Sequence, residues 1–541
     1  MSKTDALLHQ ALALHRAGDL PAARQRYEQV LAQHPKDANA LHLLGVLLGA
    51  QGEHDKAIAL IEQATRIHPG FAVAFFNLGN LRHDIGRHDD ALVNLDCCLA
   101  LLPDHLGALS VSARSLLVLG RPAEALERLR RAIRLSEQDA TLWTDLGTAL
   151  LGSGQIVPAL EAYRRSVLLA PDYVIGHRNL GYGLLAAGLR AESIASYETA
   201  LRLAPGDSDA RLSLAMILQA DGQTEAALNH LNALLDRDPH NPRARLVRAE
   251  ALAGSGRQAE ALADFNAILA DVPDHLNALC GRSQVHWMRL DADAAEADLD
   301  RALAIDPGFA PALIDRGNLR MDVGDFTSAL AEYDAALALA PGDAATLVNR
   351  AAALLALRRD KEALADYDMS LAADPTAATT RMSRGICLLA AGRWDEGWQD
   401  FEARLSVPHW ASRIRELPAP LWDGTTDLAG KRILVVGEQG LGDMIQFSRF
   451  APRLTALGAH VVLGVEPPLR RLMHTLDGIG SVVTPEDSPN VDLACLMMSL
   501  MPLLHLMAAD FPMAAPYLRA DEKRWLRGAT GWRCIQAARS A

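Results

Sequence analysis

Ten prolines, Pro35, Pro69, Pro103, Pro171, Pro205, Pro239, Pro273, Pro307, Pro341 and Pro375, stand on one ruler of 34 residues, and the only tick they miss carries Glu137. A chain punctuated at so short and constant an interval folds by stacking one small unit on its copies, not by gathering distant segments into one core. Two further series share the ruler. Twenty-four residues before each tick, with the ruler carried on to 409, a small residue stands in all twelve frames, from Ala11, Gly45 and Gly79 to Ala351 and Gly385. Twelve residues before each tick stands another, from Ala23 and Ala57 to Ala363 and Gly397. Helices that pack closely need small side chains where their backbones approach, so one such point per helix describes a helical hairpin. Between the two points, Gly18, Gly52, Gly86, Gly120, Gly154, Gly188, Gly222, Gly256, Gly324 and Gly392 are placed to end the first helix in a left-handed conformation.

These spacings resemble the tetratricopeptide repeat (TPR) family, whose helix-turn-helix unit has small residues at its eighth, twentieth and twenty-seventh positions and a proline near its end. Twelve frames beginning at Thr4 reach residue 411, and an aromatic or aliphatic slot eight residues before each tick is kept, with Tyr27, Tyr163, Tyr197, Phe265, Tyr333, Tyr367 and Phe401 among its members. The twenty-seventh position is looser: Ala64, Ala132 and Ala200 alternate with Val30, Leu234, Ile268 and Arg404, and frames with bulky or charged residues there are expected to pack less tightly.

Half of the residues are hydrophobic and 22% are charged, the balance of a folded soluble protein rather than a disordered one. The net charge of -13 lies in the repeats: Lys431 to Ala541 holds 12 Lys and Arg against 10 Asp and Glu, whereas residues 1–430 hold 41 against 56. An acidic array repels phosphate backbones and argues against nucleic acid as a partner. Cys97, Cys98, Cys280, Cys387, Cys495 and Cys534 show no C-x-x-C spacing and read as reduced thiols. His83 and His88 flank a turn but are expected on different faces, with no metal motif around them, so neither metal nor cofactor is expected. The N-terminus lacks a secretory apolar core, and the most apolar late segment, Leu493 to Ala509, is too short and interrupted for a membrane span. A cytoplasmic location follows as the expectation.

In stacked hairpins the first helix of each frame faces the inner surface. Position 6 of the frames supplies Asn77, Asp145, Asn179, Asp315 and Asn349, and position 9 adds Asn80 and Asn318. Amides one frame apart can hydrogen-bond an extended peptide backbone without reading its sequence, which points to protein segments as partners. The series resembles the asparagine ladder of the O-linked N-acetylglucosamine transferases, broken here by Leu43, Val111 and Val247. The same residues also suit a solvated helix face.

The last frame changes character. Trp394, Trp398, Trp410 and Trp422 are four of the eight tryptophans, and aromatics at the end of a solenoid form a docking surface for a following domain or an end cap. After a linker at 412–430 the periodicity switches: Arg432 to Gly437 reads as a buried strand, GEQGLGD as a loop, Met444 to Leu457 as a helix and Ala459 to Val465 as a second strand. A helix at Leu469–Leu476 and strands at Ser481–Thr484 and Val491–Leu496 extend the α/β pattern. The loop is neither G-x-G-x-x-G nor a P-loop, since Ile445 stands where the third glycine belongs.

The W-D-G at 422–424, EQGLGDMIQFSRFAPRL at 438–454 and APYLRAD at 515–521 resemble bacterial repeat-containing glycosyltransferases similar to the ADP-heptose lipopolysaccharide heptosyltransferases. That resemblance implies a GT-B fold, with Asp443 as the general base facing the acceptor and Gly440 and Gly442 shaping the acceptor loop. Asp443 with Gln446 three residues on also reads as a capping box. A GT-B enzyme needs two Rossmann-like halves, and the 111 residues from Lys431 suffice for one. The expected architecture is therefore mostly α: twelve TPR hairpins over 4–411 forming an α-solenoid superhelix, a linker at 412–430, a small α/β Rossmann-like half of a GT-B domain at 431–521, and an atypical tail at 522–541. The function that follows is a scaffold binding extended protein segments and carrying the acceptor-side half of a glycosyltransferase, not catalytic alone, with a separate donor-half chain as a second partner. An active glycosyltransferase acting on a protein or envelope glycan is the alternative.

Overall fold

The computed structural model describes residues 3–506, 510 and 516–519. The expected tail at 522–541, Cys534 and parts of the 515–521 motif lie outside the described residues. The chain divides into two compact units, Met1–Ile268 and Leu269–Ala541.

The first unit is a stack of antiparallel helix pairs, beginning with Lys3–Arg16 and Leu20–Gln33 and continuing through Ser208–Ala220 with Thr224–Leu235 to Pro242–Gly254. The ruler's prolines fall just past the second helices of the pairs, except after Pro122–Leu135 where Glu137 holds the place, and there they cannot continue the helix. Two residues later the chain caps the next helix: Asp37 accepts from the Ala40 N–H at 2.9 Å, and Asp207 does the same for Ala210. One residue type thus stops a helix and another starts the next, within a single turn.

Within each pair the small residues lie where the packing argument requires them. A Cβ added to Gly147 would come within 2.5 Å of the Tyr163 ring, and one on Gly181 within 2.9 Å of Tyr197. The aromatic slot and the glycine slot are therefore two halves of one contact. In each unit the first helices of neighbouring pairs also pack on one another, which places them on the inner side of the stack. The bulky twenty-seventh positions do not loosen the packing as expected from sequence. Val30, Leu234 and Ile268 are as buried as the alanines found at this position in other frames.

The second unit continues with pairs from Leu276–Met288 and Ala292–Ile305 to Ala378–Ala390 and Trp394–Phe401. Its turns include two that lack glycine: Leu290 and Arg358 adopt φ of 62° and 61°, the conformation that glycine takes at the equivalent turns. The seventh position of the last five frames is arginine, Arg248, Arg282, Arg316, Arg350 and Arg384, and each pairs with an acid sixteen residues on. Arg350 grips Asp366 with two bonds of 2.8 and 2.7 Å and reaches Asp334 of the preceding pair at 2.7 Å. Arg384 repeats this with Asp400 and Asp368. Arg248, Arg316, Arg350 and Arg384 each tie three helices together, Arg282 joins its helix to the one that carries Asp298, and the acids Asp264, Asp298, Asp366 and Asp400 are buried beside their arginines.

After Trp394–Phe401 come a 3-10 turn at Glu402–Ser406 and a helix at Pro408–Arg415. Four strands then form one all-parallel sheet, β1 (Arg432–Val436), β2 (His460–Gly464), β3 (Ser481–Val483) and β4 (Leu493–Leu496), in the order β3-β2-β1-β4. Val435 pairs with Leu463 on one side and with Cys495 on the other, so β1 is buried on both edges and both faces, as its unbroken apolar run implies. The single helix expected over Met444–Leu457 is two, Leu441–Ser448 and Ala451–Ala456, divided just ahead of Pro452. The segment at 412–430 is pinned: Leu421 bridges to Ala494 at the edge of β4, and Trp422 N–H donates to the Ala494 carbonyl at 2.7 Å. Trp398 and Phe401 of the last helix pair share one core with Phe447, Ile433 and Val435, so the tryptophan-rich stretch docks the α/β part onto the last pair. Among the described residues no helix is long and apolar enough to cross a membrane.

Candidate functional site

The inner face offers polar groups in each unit. In the first, the Asn77 amide lies 2.7 Å from His42 Nε2, and burial pushes His42 down to about 4, so the imidazole is neutral and accepts from the amide. Asn80 donates to Asp84 on its own helix at 2.9 Å. Both are therefore committed within the protein. Asn179 has no side-chain partner among the described residues. Asp145 is the more unusual group: its Oδ2 is buried without a hydrogen bond, and burial pushes its carboxyl up to about 6, partly offset by Arg114. Arg114 in turn leaves its Nε buried and without a hydrogen bond. His83 and His88, expected on different faces, have rings 5.1 Å apart, because one ends a helix and the other begins the next across a tight turn. His83 bonds Ser115 Oγ at 2.8 Å.

In the second unit the expected ladder bonds to itself. Asn349 donates to Asn318 Oδ1 at 3.1 Å, and the Tyr333 hydroxyl donates to the same oxygen at 2.8 Å. Gln284 donates to both oxygens of Asp315, whose carboxyl burial pushes up to about 6.

At the α/β part, Gly440 is the N-cap of the helix Leu441–Ser448 and Asp443 is its third residue. The Asp443–Gln446 capping box read from sequence does not form, since the helix starts two residues before Asp443 and its carboxylate caps no backbone N–H. Asp443 makes no hydrogen bond or ion pair among the described residues, and neither it nor Gly440 nor Gly442 lines the cavity beside Glu438 described below.

Sequence reasoning passed over the charged centre next to that loop. Arg404, placed by the ruler in a packing slot, is fully buried, and its Nε and Nη2 meet the two oxygens of Glu438 at 3.0 and 3.1 Å. Its Nη2 also donates to Ser499 Oγ at 2.8 Å, its Nη1 pairs with Glu402, and its plane lies 4.7 Å from the Phe401 ring centroid. Glu438 accepts a third bond from the Met498 N–H at 2.7 Å. Burial raises the Glu438 carboxyl above the usual range even with Arg404 beside it. The network joins the end of the repeats to the loops after β1 and β4. Its only trace in sequence is an arginine where alanine is usual.

Beside Glu438, a cavity of about 370 Å³ opens at the carboxyl ends of the strands, over Val436, Gly464 and Val483, walled by Trp410 and Arg413 of the helix Pro408–Arg415. Arg413 lies over the Trp410 ring at 5.3 Å and donates to the Glu438 carbonyl at 3.4 Å.

The tetratricopeptide repeat models match residues 14–79, 111–174, 212–275, 255–308 and 314–378, together more than half of the chain. The chain belongs to the tetratricopeptide repeat proteins. Among solved TPR-like structures, yeast Tom70 is similar at 16% identity over 76% of this chain and 99% of that one, with a TM-score of 0.42. YrrB, described as a TPR protein with an unusual peptide-binding site, is 23% identical over 34% of this chain and 95% of its own, with a TM-score of 0.30. A tetratricopeptide repeat protein of Parabacteroides merdae is 21% identical over 45% and 96%, with a TM-score of 0.37. No curated protein matches this TPR chain. The matched segments end at 378, so none of these family models extends over the sheet.

Proposed function

We propose that the chain is a scaffold whose TPR helix pairs hold extended protein segments against their inner faces. The observation that carries this is the pair of uncommitted groups on the first unit, the buried Asp145 Oδ2 and the free Asn179 amide. A buried carboxylate oxygen without a donor costs stability, and a bound peptide N–H would remove that cost. Asn77, Asn80, Asp315, Asn318 and Asn349 are bonded within the protein and would act by exchanging those bonds for bonds to a segment. The test is a peptide library selected on the full chain, followed by affinity measurements on an Asp145→Ala, Asn179→Ala double variant. Selected peptides should bind the variant at least about tenfold more weakly, the equivalent of one lost hydrogen bond to a charged group. Unchanged affinity for every peptide would remove the inner face from the function.

One observation favours a second reading, that the C-terminal part is the acceptor-side, Rossmann-like half of a GT-B glycosyltransferase. Its four parallel strands in the order β3-β2-β1-β4, with a glycine loop after β1, are what one half of a doubly wound fold contains. In this reading Asp443 is the general base, Gly440 and Gly442 shape the acceptor loop, and donor binding falls to a second half, carried by another chain. An active glycosyltransferase within this chain is the variant of the reading that a nucleotide-sugar panel tests directly. Saturable binding with turnover lost in Asp443→Asn would establish that variant, and binding only after a donor-half chain is added would favour the divided enzyme.

A further inference from the structure

The cavity at the carboxyl ends of the strands is built from two kinds of surface. Its floor and part of its walls are apolar, with Val436, Val465 and Leu496 below and Trp410, Ile414 and Pro489 around the mouth. Its polar lining includes Glu416, Glu438, Glu466, Asp487 and, among the described residues, one arginine, Arg413. Two of these acids are already engaged. Glu438 is turned to Arg404 and the Met498 N–H, and Asp487 pairs with Arg470 at 3.7 Å and accepts from the Thr484 N–H and hydroxyl at 2.8 and 3.1 Å. Glu416, on the helix side, and Glu466, two residues past β2, have no hydrogen bond or ion pair among the described residues.

The one cation at the rim shows what the wall accepts. Arg413 rests over the Trp410 face and points to a backbone carbonyl, so an aromatic face beside free acceptors already holds a cation there. Anionic ligands meet the opposite situation, since Glu416 and Glu466, unpaired among the described residues, outnumber Arg413 in the lining. The glycine loop at 440–443 does not line the cavity, which separates this site from the acceptor loop of the second reading above.

We propose that this cavity is a binding site for a small cationic amine carrying an apolar body, with the body on the floor and against Trp410 and the ammonium received by Glu466 and Glu416. A cavity of about 370 Å³ lies within the size range of small-molecule sites, and a mostly apolar lining with a few convergent polar groups is their usual composition.

A charge series on one ring system tests this: tryptamine, neutral N-acetyltryptamine and anionic indole-3-acetate, titrated calorimetrically into the full chain and into Glu466→Gln, Glu416→Gln and the double variant. Tryptamine should bind saturably and about tenfold or more tighter than the other two, each single variant should reduce that preference, and the double variant should abolish it while N-acetyltryptamine affinity stays unchanged. Circular dichroism of each variant should match the parent, since both glutamates lie outside the core. Indole-3-acetate binding as tightly as tryptamine, absence of saturable tryptamine binding, or a preference that survives in the double variant would each overturn the proposal.

Discussion

At the scale of single residues, strain and burial mark where this chain departs from its own rule. Leu290 is 88% exposed and held at φ 62°, so its side chain gains no packing to offset a conformation that a Cβ resists. Leu290→Gly should raise stability by about 0.5–1 kcal/mol in urea unfolding, the left-handed penalty less glycine's greater freedom when unfolded. Leu290→Ala keeps the Cβ and should not. Asp145 offers a second departure, in its titration. Its folded carboxyl sits at about 6, above the ordinary 3.8, so the folded state binds protons more tightly than the unfolded one. Well below pH 4 the group is protonated in both states and contributes nothing. As pH rises through that window the unfolded state ionises first, and stability is lost until the folded carboxyl also ionises near 6. Asp145→Asn should therefore stabilise the protein by roughly 1–3 kcal/mol at pH 7.5 and leave it almost unchanged near pH 4. A gain of equal size at both values would mean that the carboxyl is not raised.

At the scale of elements, two kinds of ion pair can be told apart. Arg393 and Glu396 bond at 2.5 Å on one helix face but are both more than half exposed, whereas Asp366 beneath Arg350 is 5% exposed. Exposed pairs contribute little, while removing the partner of a buried acid leaves an uncompensated charge. Arg350→Met should thus cost about 1–3 kcal/mol, seen as faster amide exchange in the helices Ala344–Ala356 and Asp360–Ala373, and Arg393→Met less than about 0.5 kcal/mol. The Arg404 centre is the stronger case, because both charges are buried and three donors converge on Glu438. Arg404→Met should cost about 3–5 kcal/mol and release the sheet from the last helix pair, read as loss of the buried Trp398 and Trp422 fluorescence signature.

At the scale of the whole chain, legibility follows from what each residue type is constrained by. Proline, turn glycine and the Gly147–Tyr163 contact act through backbone geometry, which recurs wherever the unit recurs, so periodicity exposes them. The arginine series at the seventh position is just as periodic, yet charged side chains read as solvated surface until their buried acids are located. Arg404 and Glu438 belong to different elements, and Trp410 meets β1 only through tertiary folding, so neither the charged centre nor the cavity could be read from spacing. Asp443 reads as a cap in the sequence but is not one, because the helix begins at Leu441 with Gly440 as its cap rather than at Met444, and helix ends are the least certain feature of any sequence pattern. What remains legible at this scale is the mode of cooperativity. In a stack where each pair touches only its neighbours, damage should spread one pair in each direction and stop. Ala227 is fully buried where two helices meet, and Ala227→Trp should cost at least about 1–3 kcal/mol by overpacking. Hydrogen exchange should then quicken in Ser208–Ala220 and Thr224–Leu235, less in the adjoining Arg190–Leu203 and Pro242–Gly254, and not in Ala72–Asp84 or His88–Leu101. Uniform acceleration across all of these helices would show that the first unit unfolds as one globule, and the nearest-neighbour account of this fold would fall with it.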